Sequence, residues 1–128
     1  MTAPDDILFD HPGLAALLDT MDDHALDALN FGVIGFDAHN LVRRYNRFES
    51  HAAGLGMERV LNHDLFTVVA PCMNNFLVAQ RFADARQHAV ALDETIDYVL
   101  TLRMRPTKVK LRLLAAGGPW SYVLVHRL

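Results

Sequence analysis

The sequence predicts an α+β fold: one five-stranded antiparallel sheet flanked by helices, with a helical cap at the N-terminus. Three observations carry that prediction. Residues 96–104 and 109–113 alternate apolar and polar side chains, the period of a half-buried strand. Residues 31–37 and 41–45 form two shorter β-like runs around a turn. Before and between these groups, apolar residues recur at helical spacing. Two strands, then helices, then three more strands is the order of an α+β domain.

The elements follow in chain order. Asp10 is the expected N-cap of a first helix, with Pro12 tolerated in its first turn. Leu14, Leu17, Leu18 and Met21 then form one apolar stripe. A second short helix after Asp22-Asp23 uses Leu26 and Leu29, so residues 1–30 read as a cap on a core of residues 31–128, a single domain overall. Phe31 to Asp37 and Leu41 to Tyr45 are the first two strands, joined by the turn Ala38-His39-Asn40. Short helical pieces come next, with Gly54 as a helix stop. Pro71 disfavours helix at Ala70. Asn74 or Asn75 then caps a helix running through Phe76, Leu77, Val78 and Phe82 to about His88. Ile96, Tyr98, Leu100, Leu102 and Met104 share one face of a third strand, and Val109, Leu111 and Leu113 one face of a fourth. Gly117-Gly118-Pro119 turns into the last strand. The order of elements resembles that of the PAS family.

The bulk numbers agree with one globular domain. The chain has 128 residues, 52% of them hydrophobic and 21% charged. A net charge of −3, with twelve dispersed basic residues, speaks against a nucleic-acid partner. No apolar run reaches the about 18 residues that span a bilayer, so no membrane association is expected. Met1-Thr2-Ala3-Pro4-Asp5-Asp6 lacks the basic and apolar regions of a signal peptide, and a single cysteine forms no internal disulfide. A cytoplasmic location is the expectation.

Candidate chemistry centres on three residues. Cys72 on its own reads as a small buried hydrophobe. Its place after a proline and just before an expected helix also suits a thiolate or an attached carbonyl group. Tyr45 and Glu49 are four residues apart and point into one pocket if the intervening turn is helical, or are a packed tyrosine beside an unrelated surface glutamate. Asn46 is most simply a turn residue. His51, His63 and Asp64 are weak metal candidates because their spacing matches no ligand pattern, so no metal is expected. Lys108, Lys110 and Arg112 read as the solvated face of a strand.

Taken together, these residues resemble a known family. Phe31-Gly32, the Tyr45-Asn46…Glu49 set, Val69-Ala70-Pro71-Cys72 and Pro106-Thr107-Lys108-Val109-Lys110 look like photoactive yellow protein, in matching order and spacing from about Phe9 to Leu128. The resemblance implies a PAS-domain blue-light photoreceptor, not an enzyme, with p-coumaric acid (4-hydroxycinnamic acid) held as a thioester on Cys72. It implies that Tyr45 and Glu49 hydrogen-bond the phenolate, that Glu49 gives up its proton after light-driven trans–cis isomerisation, and that the cap then loosens to signal to a downstream protein the sequence does not identify. Ala53, Leu55, Ala70, Pro71 and Leu102 would line the pocket. Three of these depart from the family pattern: Ala53 replaces a threonine that supports the tyrosine, Leu55 an arginine over the chromophore ring, and Leu102 an aromatic. Two other readings compete. One is a PAS interaction module without chromophore, which would leave a buried glutamate unexplained. The other is a cysteine-dependent acyl-transfer enzyme, for which the sequence nominates no histidine partner.

Overall fold

Five strands form one antiparallel sheet in the spatial order β2-β1-β5-β4-β3. They are β1 (Gly32–Phe36), β2 (Val42–Tyr45), β3 (Leu92–Leu100), β4 (Thr107–Ala115) and β5 (Ser121–Arg127). This computed structural model describes residues 7–101 and 105–128. The helices are α1 (Leu14–Asp19), α2 (Asp23–Asp27), α3 (Arg47–Ala53), α4 (Met57–Val60) and α5 (Ala79–Gln87). A π-helical turn (Leu65–Val69) and a 3-10 turn (Pro71–Met73) link α4 to α5. The α+β architecture expected from the alternation is therefore present, with every described strand in one sheet. No helix among the described residues is long and apolar enough to cross a membrane.

Period-2 alternation gives the sheet two unlike faces, one buried throughout its centre and the other covered over β1, β5 and the end of β4 but exposed at Asp97, Val99, Lys108 and Lys110. Ile34, Phe36, Val109, Leu111, Leu113, Val123 and Val125 point to one face, where Leu65, Phe66, Met73, Val78 and Phe82 cover them. Val33, Leu114, Tyr122 and Leu124 point to the other, where Leu14, Leu18, Leu26 and Leu29 of the N-terminal helices cover them. In β2 the pairing shifts register against Gly35 and Phe36. That irregularity puts Val42 and Tyr45, three residues apart, in the same apolar cluster, as an extra residue in a strand does.

Local expectations fared unevenly. Gly54 ends α3 in the left-handed conformation (φ 68°), as a helix-stopping glycine should. Asp10 does not cap α1; the helix begins after Gly13, whose φ of 65° only glycine adopts freely. The helix expected from Asn74 or Asn75 starts later, at Ala79. The Asn75 side chain instead accepts from the Leu77 and Val78 amides (3.0 and 3.2 Å), which closes a turn and leaves Phe76 exposed. Arg112 is not on a solvated face but buried beneath the cap, whereas Lys108 and Lys110 are exposed as expected. Leu102 and Met104 lie outside the described residues.

Candidate functional site

Asn46 organises the site. It is fully buried at the N-cap of α3, and its Oδ1 accepts from the Glu49 amide (3.1 Å) and the Val33 amide (3.0 Å). Its Nδ2 donates to the carbonyls of Leu26 (3.0 Å) and Phe31 (2.9 Å). One side chain thus caps a helix and ties it to β1 and to the end of α2, a larger role than a turn residue.

That cap sets the start of α3, so Glu49 falls in its first turn with a side chain only 2% exposed. The carboxyl lies against β1 at Gly32, where a Cβ would sit 2.0 Å from Glu49 Oε1. Only glycine leaves room for it. The Arg127 guanidinium donates to both carboxyl oxygens, Nη1 to Oε1 at 2.7 Å and Nη2 to Oε2 at 3.1 Å. Burial pushes the Glu49 carboxyl above its ordinary value of 4.5, while the Arg127 hydrogen bonds and charge pull against that rise. Sequence reasoning missed Arg127. Alternation was the available signal: Arg127 shares the face of Val123 and Val125, so a charge there needs a partner.

Tyr45 is buried on the same face, and its hydroxyl donates to the Leu55 carbonyl (3.2 Å). Ser50 Oγ donates to the same oxygen (2.7 Å). Burial first, and then the nearby Glu49 charge, hold the Tyr45 hydroxyl well above its ordinary value. The intervening turn is helical, as the pocket reading of their spacing required, but the Tyr45 hydroxyl bonds Leu55 and the Glu49 carboxyl bonds Arg127.

Cys72 is half-buried in the 3-10 turn, ahead of the Asn75 turn rather than at the start of α5. Ala70 precedes Pro71 outside helical geometry (φ −137°, ψ 70°), and Pro71 opens the turn at the position where its missing amide costs nothing. The Cys72 carbonyl accepts from the Tyr98 hydroxyl and from Asn75 Nδ2 (3.2 Å), and Asn75 Nδ2 also reaches Tyr98 Oη (2.6 Å). This fixes the backbone of the residue and leaves its thiol out of the bonding.

Of the residues named from the sequence, Tyr45 and Ala70 belong to one apolar cluster, and Leu55, Cys72 and Tyr98 pack against it. Ala53 is buried at the end of α3 outside that cluster, and Pro71 is exposed. Arg44, a possible source of positive charge, lies on the cap side, where it bonds the Leu18 carbonyl (2.6 Å) and Tyr122 (3.1 Å). Arg47 and His51 are exposed. Asp64 accepts from the Phe66 and Thr67 amides (2.9 and 3.1 Å), which caps the π-helical turn.

No family model matches the chain. A solved quorum-sensing receptor PAS domain from Cronobacter turicensis aligns with a TM-score of 0.61 at 14% identity, over 77% of this chain and 94% of that one, a likeness of fold alone. The photoactive yellow protein domain of the sensor histidine kinase Ppr from Rhodospirillum centenum aligns far better, with a TM-score of 0.79 at 36% identity over 87% of this chain and 97% of that one. The photoactive yellow protein of Halochromatium salexigens is 35% identical over 115 residues, covering 87% of this chain and 89% of that protein. With that identity over nearly the whole length, on the same fold, the chain belongs to the photoactive yellow protein family.

Proposed function

We propose that the chain is a blue-light photoreceptor carrying p-coumaric acid as a thioester on Cys72, with Glu49 as the internal proton donor. Family membership supports light sensing rather than catalysis. The observation that carries the attachment site is the placement of Cys72. The chain's only thiol sits on a turn packed against the apolar cluster that contains Tyr45, with its carbonyl already bonded and its sulfur available for acylation.

The residue types suit a phenolate, although in this structure the Tyr45 hydroxyl is turned to the Leu55 carbonyl and the Glu49 carboxyl to Arg127. When bound, the chromophore supplies an absorbing double bond that isomerises in light, and a phenolate oxygen that takes up a proton. Tyr45 offers one hydroxyl from within the core. Glu49 offers a carboxyl whose burial favours the protonated form, against the pull of the Arg127 hydrogen bonds toward the carboxylate; carrying its proton, it would donate to the phenolate. Two adjacent buried anions would be costly, which also favours a protonated Glu49 in the dark. After light, Glu49 releases its proton, becomes a carboxylate, and no longer supplies the donor that held the site. Loosening of the cap formed by residues 1–30 follows as the output. The similar domain from a sensor histidine kinase supports a downstream signalling protein as recipient.

A second reading, a PAS interaction module without chromophore, gains one point from the structure. Glu49 already has a partner in Arg127, so its burial does not by itself require a chromophore. Illumination separates the two. The loaded protein is expected to bleach reversibly, with loss of a protonated-carboxyl infrared band that is absent from Glu49→Gln. No bleaching favours the module, and a band that persists in Glu49→Gln assigns the donor elsewhere.

A further inference from the structure

Arg127 is the last residue of β5, on the face that carries Val123 and Val125. Its side chain is 21% exposed, while the Glu49 side chain it holds is 2% exposed. The contact is two-pronged, with 2.7 and 3.1 Å separations, the geometry in which a guanidinium binds a carboxylate most strongly. A guanidinium does not lose its proton in a protein, so a full positive charge faces Glu49 whatever Glu49 does. The other groups around Glu49 supply no such charge. Tyr45 of β2 is neutral, and Gly32 of β1 has no side chain. On its own helix Arg47 and His51 are exposed, and Asp27 of α2 bonds the Arg47 amide (2.7 Å).

We propose that Arg127 is the fixed counter-ion of Glu49: it holds the carboxylate left when the proton departs, and so sets how readily that proton is released. This rests on Glu49 acting as proton donor. In that release the Glu49 O–H bond breaks, its electron pair stays on the carboxyl oxygen, and the proton passes to a phenolate base. The new carboxylate is then a paired ion rather than a bare charge in the core. A bare charge would drive the proton back at once; a paired one persists. Arg127 is thus a positioning and charge-balancing residue, distinct from a staple that merely joins α3 to β5.

A titration of the chromophore-free protein separates counter-ion from staple. The chain has three glutamates, Glu49, Glu58 and Glu94, so side-chain carbon-13 labelling of glutamate gives three resolvable carboxyl signals. Arg127→Gln is expected to raise the apparent pKa of Glu49 by about one unit or more and leave Glu58 and Glu94 unmoved. Arg127→Lys, which keeps the charge but loses the fork, should give a smaller rise. An unmoved Glu49 in folded Arg127→Gln overturns the proposal. If that variant does not fold, Arg127→Met, which keeps the aliphatic stem but removes the charge, takes its place, and an unmoved Glu49 there overturns the proposal equally. In the loaded protein, Arg127→Gln should show less loss of the protonated-carboxyl band on illumination than the wild type. Absence of any light-induced band in either protein counts against the photoreceptor reading, while the dark titration still decides the role of Arg127.

Discussion

Tyr45 has one proton to donate, and the Leu55 carbonyl takes it at 3.2 Å. Ala53 carries no hydroxyl to support that tyrosine, and Leu55 carries no charge to place above a chromophore ring. A phenolate is stable in the core only when its donors outweigh the desolvation that raises its pKa. A tyrosine donates better when its own oxygen accepts a bond, because linked hydrogen bonds polarise one another. The dark state is therefore expected to titrate closer to neutrality than in a variant carrying Ala53→Thr and Leu55→Arg. A pH titration of the dark spectrum should show a neutral-phenol form, absorbing at shorter wavelength, that recedes in the double variant. Equal apparent pKa values would mean that neither departure matters. Arg44 bonds the Leu18 carbonyl on the cap side, and Arg47 and His51 are exposed, so these nearby cations do not replace the missing charge. Arg127 escaped notice because its partner is 78 residues distant, and no local spacing encodes such a pair.

The cap is held by two sheet arginines as well as by leucines. Arg112 of β4 donates through Nη1 to the Phe9 and His11 carbonyls (2.9 and 2.8 Å), while Nε and Nη2 grip the Asp93 carboxylate (2.9 Å each). Arg44 of β2 bonds the Leu18 and Met21 carbonyls at the end of α1 and lies over the Trp120 ring, 4.9 Å from its centroid. Tyr122, which accepts from Arg44, donates to Asp19 (2.6 Å). The apolar stripe of Leu14, Leu17, Leu18 and Met21 is what the sequence shows of the cap, and these polar clamps leave no trace in that pattern. Alternating charge on a strand reads as a solvated face until something covers that face. Arg112→Met should cost about 2 kcal/mol, from carbonyls left unpaired, and should speed hydrogen exchange in residues 7–15 ahead of the sheet. Uniform acceleration would mean that Arg112 stabilises the whole domain rather than the cap. Acid should act through the same clamp. The Arg112 hydrogen bonds hold the Asp93 carboxyl below its ordinary 3.8, so its stabilising contribution is present above that value and is lost as pH falls through the depressed one.

The whole molecule places the cap on one face of the sheet and the apolar cluster that contains Tyr45 on the other, while α3 also meets the cap directly through Asn46–Leu26 and Arg47–Asp27 hydrogen bonds. Light absorbed on one side and cap release on the other would give the signal two routes, the sheet and that α3–α2 contact. The fold was legible because period-2 alternation marks β3 and the first part of β4, whose outward residues are exposed, whereas β5, apolar from Tyr122 to Val125 and covered on both faces, is marked only by the turn before it. The candidate site was suggested only by a resemblance. Residues 45, 49 and 72 lie on a strand, a helix and a turn that no periodicity relates to one another. The element boundaries that failed, at Asp10 and Asn75, are places where a side chain able to cap a helix was used otherwise or not at all. The central claim, a photoreceptor acylated at Cys72, is tested most directly by the intact mass of the protein after treatment with activated p-coumarate. The expected result is a gain of one p-coumaroyl group with a visible absorption band, both abolished in Cys72→Ala. An unchanged wild-type mass, or a Cys72→Ala protein that gains both the mass and the colour, would contradict it.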